Sequence, residues 1–98
     1  MAEFEWDDEK AAGNYRKHKI RFEEATDVFD DPLAQTRRNR IENGEQRLQI
    51  IGRTRAGTLM IVIHTVRENG TEVIRIISAR PLQPKERKQY EHSQIQTR

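Results

Sequence analysis

The second half of the chain is dominated by three runs of β-branched residues that turn signals separate. The runs cover residues 48–54, 59–66 and 72–80, with Ala56-Gly57 and Asn69-Gly70 between them. β-branched side chains favour strands, and Asn-Gly suits a two-residue type I′ turn, in which both central residues need positive φ. The pattern therefore predicts an antiparallel sheet. In a chain of 98 residues we expect one domain, in which helices cover the apolar face of this sheet.

The first third of the chain has helical rather than strand periodicity. A short strand is predicted at 4–6, followed by Asp7 as the N-cap of a helix over 8–18. A second helix is predicted over 22–30, and Pro32 disfavours its continuation. Its apolar stripe consists of Phe22, Ala25, Val28 and Phe29.

The remaining segments complete an α+β fold: a small antiparallel sheet with two N-terminal helices packed on one face and a short C-terminal helix. Residues 33–46 are polar and rich in arginine, with Asn43-Gly44 as a turn. Pro84 is suited to open the last helix, which we expect to end near residue 92. We predict one domain over 1–92 and a flexible tail over 93–98.

Composition excludes several classes of function. The chain has no cysteine, which removes disulfides, thiolate metal sites and a thiol nucleophile. No cluster of histidine and carboxylate residues has metal-ligand spacing, so we expect no metal and no cofactor. The longest apolar run, 59–63, is far shorter than the ~20 residues that a spanning helix needs. With no signal-peptide pattern at the N-terminus, we expect a cytoplasmic protein without membrane contact.

Charge is divided unevenly along the chain. Residues 1–31 carry ten Asp/Glu and five Lys/Arg, a net charge of −5, whereas residues 32–98 carry six and thirteen, a net charge of +7. Thirteen of the eighteen basic residues are arginine, which binds phosphate in a bidentate manner. The basic part predicts a polyanion partner or, alternatively, a solvated basic surface.

The turn positions predict which side chains share a face of the sheet. A two-residue Asn69-Gly70 loop places His64 opposite Arg75 on one face. A two-residue Ala56-Gly57 loop places Arg53 beside Met60 on the same face, because the alternative register would bury an unpaired arginine. The other face then carries the apolar side chains that receive the helices, namely Leu48, Ile50, Ile61, Ile63, Ile74 and Ile76.

Such an arrangement suits metal-independent RNA cleavage, which needs a base for the 2′-hydroxyl, cations for the phosphorane and an acid for the leaving oxygen. The candidate cations are Arg53, Arg75 and Arg80, although strand parity directs Arg80 towards the core. Each could instead form a structural ion pair with Glu42, Glu45, Glu72 or Glu86.

Two histidines are candidates for the base because imidazole titrates near neutrality. His64 beside an arginine should have a lowered pKa, although it could equally be a surface cross-strand residue. His18 is placed at the end of the first helix, where it could also cap backbone carbonyls. Further RNA contacts are expected from Lys17, Arg55, Arg87 and Tyr90, and Tyr90 could alternatively pack the last helix onto the sheet.

Two phrases of the chain resemble the BrnT toxins, small bacterial ribonucleases that pair with an antitoxin. The first runs from Phe4-Glu5-Trp6-Asp7 through Lys10, Asn14 and Lys17-His18 to Phe22-Glu23-Glu24-Ala25 and Asp31-Pro32; the second is Arg75-Ile76-Ile77-Ser78-Ala79-Arg80. The resemblance spans roughly residues 4–91. It departs at Lys19, where a glycine is common, and at Arg21, where a small capping residue is usual.

The resemblance implies a fold similar to RelE-type toxins, with a short edge strand near 33–36 and RNA cleavage without metal. It also implies a BrnA-type antitoxin with a ribbon-helix-helix fold. In the toxin–antitoxin complex, this antitoxin would be the member that binds operator DNA. Our hypothesis is an endoribonuclease toxin whose arginines hold the phosphate while His64 or His18 moves the proton. The rival hypotheses are a non-catalytic nucleic-acid-binding module and an inactive antitoxin-binding partner.

Overall fold

The fold is described for residues 2–96 of a computed structural model, which form five strands and three α-helices. The elements in chain order are β1 (Glu3–Glu5), α1 (Asp8–His18), α2 (Phe22–Ala25), a 3₁₀ helix (Thr26–Asp30), β2 (Gln35–Glu42), β3 (Glu45–Arg53), β4 (Leu59–Glu68), β5 (Glu72–Pro81) and α3 (Pro84–Gln96).

The sheet is mixed rather than antiparallel. Its strand order is β1-β5-β4-β3-β2, and β1 pairs with β5 in parallel while the other neighbours are antiparallel. The prediction of an antiparallel sheet was wrong for β1, because α1, α2 and the following strands return the chain to the same edge in the same direction. The edge strand β2 is also longer than the stretch near 33–36, and a bulge interrupts it between Arg38 and Ile41.

The core lies between one face of the sheet and the segment from α1 to the 3₁₀ helix. Phe22, Ala25 and Val28 are fully buried against β-strand side chains. Burying a large apolar side chain of this kind contributes roughly 1.5–3 kcal/mol. The residues that form this core are Ile20, Phe22, Ala25, Val28, Ile50, Met60, Val62, Ile74, Ile76 and Ala79.

The two Asn-Gly pairs make different turns. Asn43 and Gly44 both have positive φ, 52° and 77°, and Glu42 pairs with Glu45, as a two-residue type I′ turn requires. At the second pair only Gly70 has positive φ, 80°, and residues 69–71 form a three-residue loop in which Asn69 N–H donates to Thr71 O. The predicted two-residue turn at Asn69-Gly70 is therefore wrong.

This longer loop shifts the register and exchanges the faces of β4. His64 pairs with Ile76, and Arg75 pairs with Thr65, so the predicted His64–Arg75 pair does not exist. In the preceding hairpin a loop over 54–58 pairs Arg53 with Leu59 rather than with Met60. Met60 and Val62 therefore face the helices, while Ile61 and Ile63 face the other side, which reverses the prediction for β4.

A β-bulge at Ile77 changes the direction of the end of β5. Ser78 pairs with Ile63 and Ile76 pairs with His64, which leaves Ile77 as the extra residue. Without this residue, Arg75 and Arg80 would lie on opposite faces, because their numbers differ by five. With it, both lie on the face away from α1 and α2, which we call the open face. The predicted direction of Arg80 towards the core was therefore wrong.

The last helix runs past the position predicted for its end. α3 continues through Gln96, where residue 92 was expected to be the end and a flexible tail was expected from residue 93. Gln94 Nε2 donates a 2.8 Å hydrogen bond to Leu33 O, so this part of the helix is attached to the segment before β2. Positions 97 and 98 of the predicted tail lie outside the described residues.

Candidate functional site

The end of α1, the end of β5 and the start of α3 meet at one corner of the molecule. His18 is the last residue of α1, Arg80 is the penultimate residue of β5, and Glu86 lies in the first turn of α3. The charges of Arg80 and Lys17 both act on the His18 imidazole. The fold thus brings together Lys17, His18 and Arg80, which were all predicted as functional residues from the sequence. We call these three residues and Glu86 the corner site.

Asn14 holds the two main parts of this corner together. It is 8% exposed, its Nδ2 donates to Ile20 O at 3.1 Å, and its Oδ1 accepts from Ala79 N–H at 3.0 Å. Ile20 follows His18 by two residues, and Ala79 immediately precedes Arg80. One buried amide therefore sets the position of the loop after His18 relative to the end of β5.

The turn after His18 has a left-handed residue at Lys19. Its φ is 60°, and its N–H donates to Tyr15 O at 2.8 Å, which closes the end of α1. This conformation favours glycine and costs other residues about 1 kcal/mol, which explains why glycine suits the position. Arg21 caps no backbone N–H with its side chain and instead lies 4.6 Å above the Tyr15 ring.

Arg80 is held in a fixed orientation by Glu86. Its Nη1 and Nη2 each donate a 2.8 Å hydrogen bond to one Glu86 oxygen, and Nη1 also donates to Pro81 O. The bidentate pair raises the pKa of Arg80 and, with the Gln83 N–H that donates to the same carboxylate, lowers the pKa of Glu86 to about 2. The ion-pair alternative foreseen for Arg80 is thus the geometry observed, and Glu86 stays ionised at neutral pH.

His18 is poised to accept a proton at neutral pH. Desolvation by burial, followed by the charges of Lys17 and Arg80, lowers the pKa of its imidazole below 6.5. The side chain is nevertheless partly exposed, so solvent or a substrate can reach it. A neutral imidazole beside two cations is an arrangement that can deprotonate a hydroxyl next to a bound phosphate.

His64 does not belong to any accessible site. It is 3% exposed, its ring packs edge-on against Phe29 at 4.8 Å, and its Nδ1 lies 3.2 Å from Val62 O. Burial, rather than a neighbouring arginine, lowers its pKa. The prediction of His64 on a working surface was wrong, because the register of β4 turns this side chain into the core.

Arg75 lies on the open face in a cluster with two neighbours. Its Nη1 is 2.9 Å from Glu5 Oε2, and Arg67 Nη2 is 2.9 Å from Glu5 Oε1. The two guanidinium groups lower the pKa of the shared carboxylate. A structural ion pair was among the alternatives for Arg75, but its partner is Glu5 on β1 rather than a nearby glutamate, because β1 pairs with β5.

Arg53 lies opposite Leu59, at the same end of the sheet as Arg80, which pairs with Ile61. Its Nη1 donates to Gly57 O at 3.2 Å, and its backbone N–H donates to Asp31 Oδ2 at 2.8 Å. With Tyr90 it lines a groove of about 460 Å³. Tyr90 itself is 5% exposed and its hydroxyl donates to Leu33 O at 3.4 Å, so the ring packs α3 and is not free to stack on a base.

Two further arginines nominated for RNA contacts are engaged with carboxylates at the surface. Arg55 lies 3.8 Å from both Asp27 and Asp30. Arg87 lies 3.5 Å from Glu91, one turn further along α3. Exposed pairs of this kind contribute about 0–1 kcal/mol, so both side chains can exchange partners easily.

Sequence reasoning singled out neither Asn14 nor Glu5 for a role. Asn14 carried a signal, since it follows Ala11 by three residues and precedes His18 by four, which puts all three on one helix face. A buried asparagine there must find hydrogen-bond partners. Glu5 carried no comparable signal, because its partners depend on the parallel pairing of β1.

Within residues 2–96, no three His, Asp or Glu side chains group closely enough to hold a metal ion. In the same stretch, no helix has the length and apolarity to cross a membrane.

Comparison with known proteins identifies the family. A family model described as the ribonuclease toxin BrnT of type II toxin–antitoxin systems matches residues 6–86. The 1.1 Å crystal structure of the Brucella abortus ribonuclease toxin BrnT superposes with a TM-score of 0.63 at 24% identity, covering 85% of this chain and 97% of that one. At this identity the likeness shows a shared α+β fold. A search of curated proteins finds no match. The family match confirms the resemblance seen in the sequence, and the chain belongs to the BrnT family of ribonuclease toxins of type II toxin–antitoxin systems.

Proposed function

We propose that the chain is a metal-independent endoribonuclease whose reaction takes place at the corner site. The observation that carries this proposal is the pair of Asn14 hydrogen bonds that join the loop after the partly exposed His18 to Ala79, next to Arg80. Burial and the charges of Lys17 and Arg80 lower the pKa of this histidine. A ribonuclease family needs such a base and such cations, and the corner site supplies both in one place.

In the proposed step, neutral His18 takes the proton of a 2′-hydroxyl, and the 2′-oxygen attacks the adjacent phosphorus. Lys17 and the free edge of the Arg80 guanidinium stabilise the extra negative charge of the phosphorane. The bond to the 5′-oxygen then breaks, and that oxygen takes a proton from solvent. The products are a 2′,3′-cyclic phosphate and a 5′-hydroxyl, and the proton on His18 returns to water.

Glu86 has an orienting role in this proposal. With a pKa of about 2 it is too weak a base to compete with His18, but its two hydrogen bonds fix the plane of the Arg80 guanidinium. The remaining N–H groups of Arg80 are thereby directed away from α3, which spares the side chain the entropy cost of ordering at the moment of binding.

The cellular partners follow from the family. A type II system supplies a protein antitoxin, and the likeness to BrnT toxins favours a BrnA-type ribbon-helix-helix protein, which would bring any operator DNA contact with it. The site of action that we propose is the cytoplasm, where RNA is the target.

The test is cleavage of total RNA by antitoxin-free protein in the presence of EDTA. Wild-type protein should cut RNA, and His18→Ala should lower the cleavage rate by about 10²–10⁴-fold, the usual contribution of a positioned base. His92→Ala, on the exposed side of α3, is the matched control and should cut at the wild-type rate.

Two results would reject the proposal. Dependence of cleavage on a divalent metal would exclude the metal-independent route. RNA binding without cleavage by wild-type protein would favour the non-catalytic nucleic-acid-binding module instead.

A further inference from the structure

A second cationic cluster lies on the open face at some distance from the corner site. Glu5, Arg67 and Arg75 form its first part, with two guanidinium groups on one carboxylate. Arg75 and Arg67 keep 43% and 58% of their side-chain surface exposed. Both side chains are therefore accessible to a ligand, which would share them with Glu5.

Arg47 extends this cluster across the sheet. Leu48 pairs with His64 on the helix face, so Arg47 lies opposite Thr65 on the open face, with Arg75 on the far side of Thr65. Arg47 Nη2 lies 3.0 Å from Glu42 Oε2, yet its Nε is a buried donor that lacks a hydrogen-bond partner within the described part of the chain. Because this Nε is enclosed and the Arg47 side chain is only 17% exposed, an anion could meet Arg47 only through its Nη groups.

The balance of charge in the cluster favours an anion. Its ion pairs join four arginines, Arg40, Arg47, Arg67 and Arg75, to only two carboxylates, Glu5 and Glu42, so some guanidinium N–H groups remain for an anion. Guanidinium groups that are weakly hydrated and already oriented bind phosphate oxygens well. Arg67 and Arg75 are exposed along one face of the sheet, although Thr65 between Arg47 and Arg75 is buried, and a row of exposed cations suits an extended ligand.

The bulge at Ile77 connects this cluster to the corner site. It puts Arg75 and Arg80 on the same face of β5, five residues apart, which is roughly 15 Å at ~3.3 Å per residue. A stacked RNA strand advances ~3.4 Å per nucleotide, so about five nucleotides span the gap, and fewer do so when the strand is stretched. Bulges are frequent next to active sites because they redirect side chains in this way.

We propose that Arg47, Arg67 and Arg75 form a phosphate-binding track for single-stranded RNA, which leads along β5 to the corner site. The track binds the backbone several nucleotides from the cut and takes no part in bond breaking. Glu5 competes with the RNA phosphate for Arg67 and Arg75, and so limits affinity. This inference rests on RNA being the substrate of the corner site.

The test compares a dinucleotide, which spans only the corner site, with a decanucleotide, which also reaches the track. Arg67→Gln with Arg75→Gln should raise the KM of the decanucleotide about tenfold, leave kcat unchanged and leave the dinucleotide unaffected. The salt dependence of decanucleotide binding should weaken by about 0.7 per arginine removed.

Glu5→Gln should have the opposite effect to the double arginine variant. It breaks the same two ion pairs but removes the carboxylate and keeps both arginines. Released from the carboxylate, Arg67 and Arg75 should lower the KM of the decanucleotide by about threefold. Arg38→Gln is the matched control, since the exposed Arg38 pairs in register with Leu48 on the opposite face of the sheet, and it should change KM little.

Three outcomes overturn the track. If Glu5→Gln and the double arginine variant both lower thermal stability and both weaken RNA binding, the cluster is a structural ion pair. If the arginine variants leave RNA binding intact but weaken the antitoxin complex, the partner of this surface is a protein. If wild-type protein cuts neither substrate, the proposal for the corner site fails. The track is then tested by the binding of an uncleavable 2′-O-methyl decanucleotide. Equal affinity of this ligand for the wild type and the arginine variants would reject the track.

Discussion

The two arginine clusters of this protein use the same ion-pair chemistry in opposite ways. At the corner site one carboxylate holds one arginine by two hydrogen bonds, both 2.8 Å, and burial, with the charges of Lys17 and this arginine, lowers the pKa of His18. On the open face one carboxylate is shared between Arg67 and Arg75, and Arg47 adds a third guanidinium nearby. The first arrangement fixes the orientation of one guanidinium group, whereas the second divides one carboxylate between two guanidinium groups. The difference separates a place suited to chemistry from a place suited to holding a polyanion.

The largest expected effect that distinguishes the clusters is on kcat. Arg80→Gln removes a cation next to the scissile phosphate and should lower kcat about 10²-fold, the typical loss for one oriented donor. Arg75→Gln should leave kcat unchanged, because its phosphate lies away from the cut. Single-turnover cleavage of one labelled RNA measures both.

The contrast would fail if the two variants had equal effects on kcat. Thermal unfolding of both proteins is the control, since Arg80→Gln also frees Glu86 and could loosen the start of α3. Arg80→Lys, which keeps the charge but loses the bidentate geometry, should recover only part of the rate.

The next effect concerns the attachment of the corner to the sheet. Asn14→Ala leaves the Ala79 N–H and the Ile20 carbonyl without their partner, which should lower the free energy of unfolding by about 2 kcal/mol. Because the same contacts fix the position of His18 relative to Arg80, kcat should fall as well. The effect of Arg67 and Arg75 on KM should not change. Urea unfolding and cleavage kinetics together check this prediction.

Asn14→Asp separates position from stability. The aspartate keeps the acceptor for Ala79 N–H, loses the donor to Ile20 O and adds a negative charge at this buried position. Retention of kcat in this variant would indicate that the bond to β5 positions Arg80; a kcat as low as that of Asn14→Ala would assign the effect to the loop after His18.

The smallest effect is a pH dependence that only the corner site should show. His18 must be deprotonated to act as a base, and burial together with Lys17 and Arg80 lowers its pKa below 6.5. The value of kcat/KM, which reports the free enzyme, should therefore rise with pH below 6.5 and be level above it. The double variant of Arg67 and Arg75 should keep the same profile.

A midpoint above 6.5 would contradict the electrostatic account of His18. Residual cleavage by His18→Ala should lack the fall in kcat/KM at low pH. If the variant kept this fall, another group would be its cause.

His64 should add a separate dependence of stability on pH. Its lowered pKa means that the unfolded chain binds the proton more readily than the folded chain does, so the free energy of unfolding should decrease as pH falls from 6.5 towards the lowered value.

The extent to which the candidate site could be predicted depended on sequence distance. His18 was predicted as a base because imidazole titrates near neutrality, Lys17 comes from the same family phrase, and Arg80 was predicted as a phosphate-binding cation. The charges of Lys17 and Arg80 both act on His18 in the fold. His64 was nominated from a register that assumed a two-residue turn, and a single extra loop residue moved it into the core. Errors of one residue in a strand reverse every side chain after them, whereas a similar error in a helix does not.

What the sequence determined by itself was local. The ends of α1, the strand runs, the type I′ turn at Asn43-Gly44 and the family are all read from residues close together in the chain, because propensities, caps and turn conformations depend on near neighbours. The tertiary structure decided which distant residues meet. The parallel pairing of β1 gives Arg75 its partner Glu5, and the bulge at Ile77 puts Arg75 and Arg80 on one face. Both depend on the register between strands, which is set by the packing of the whole sheet against its helices.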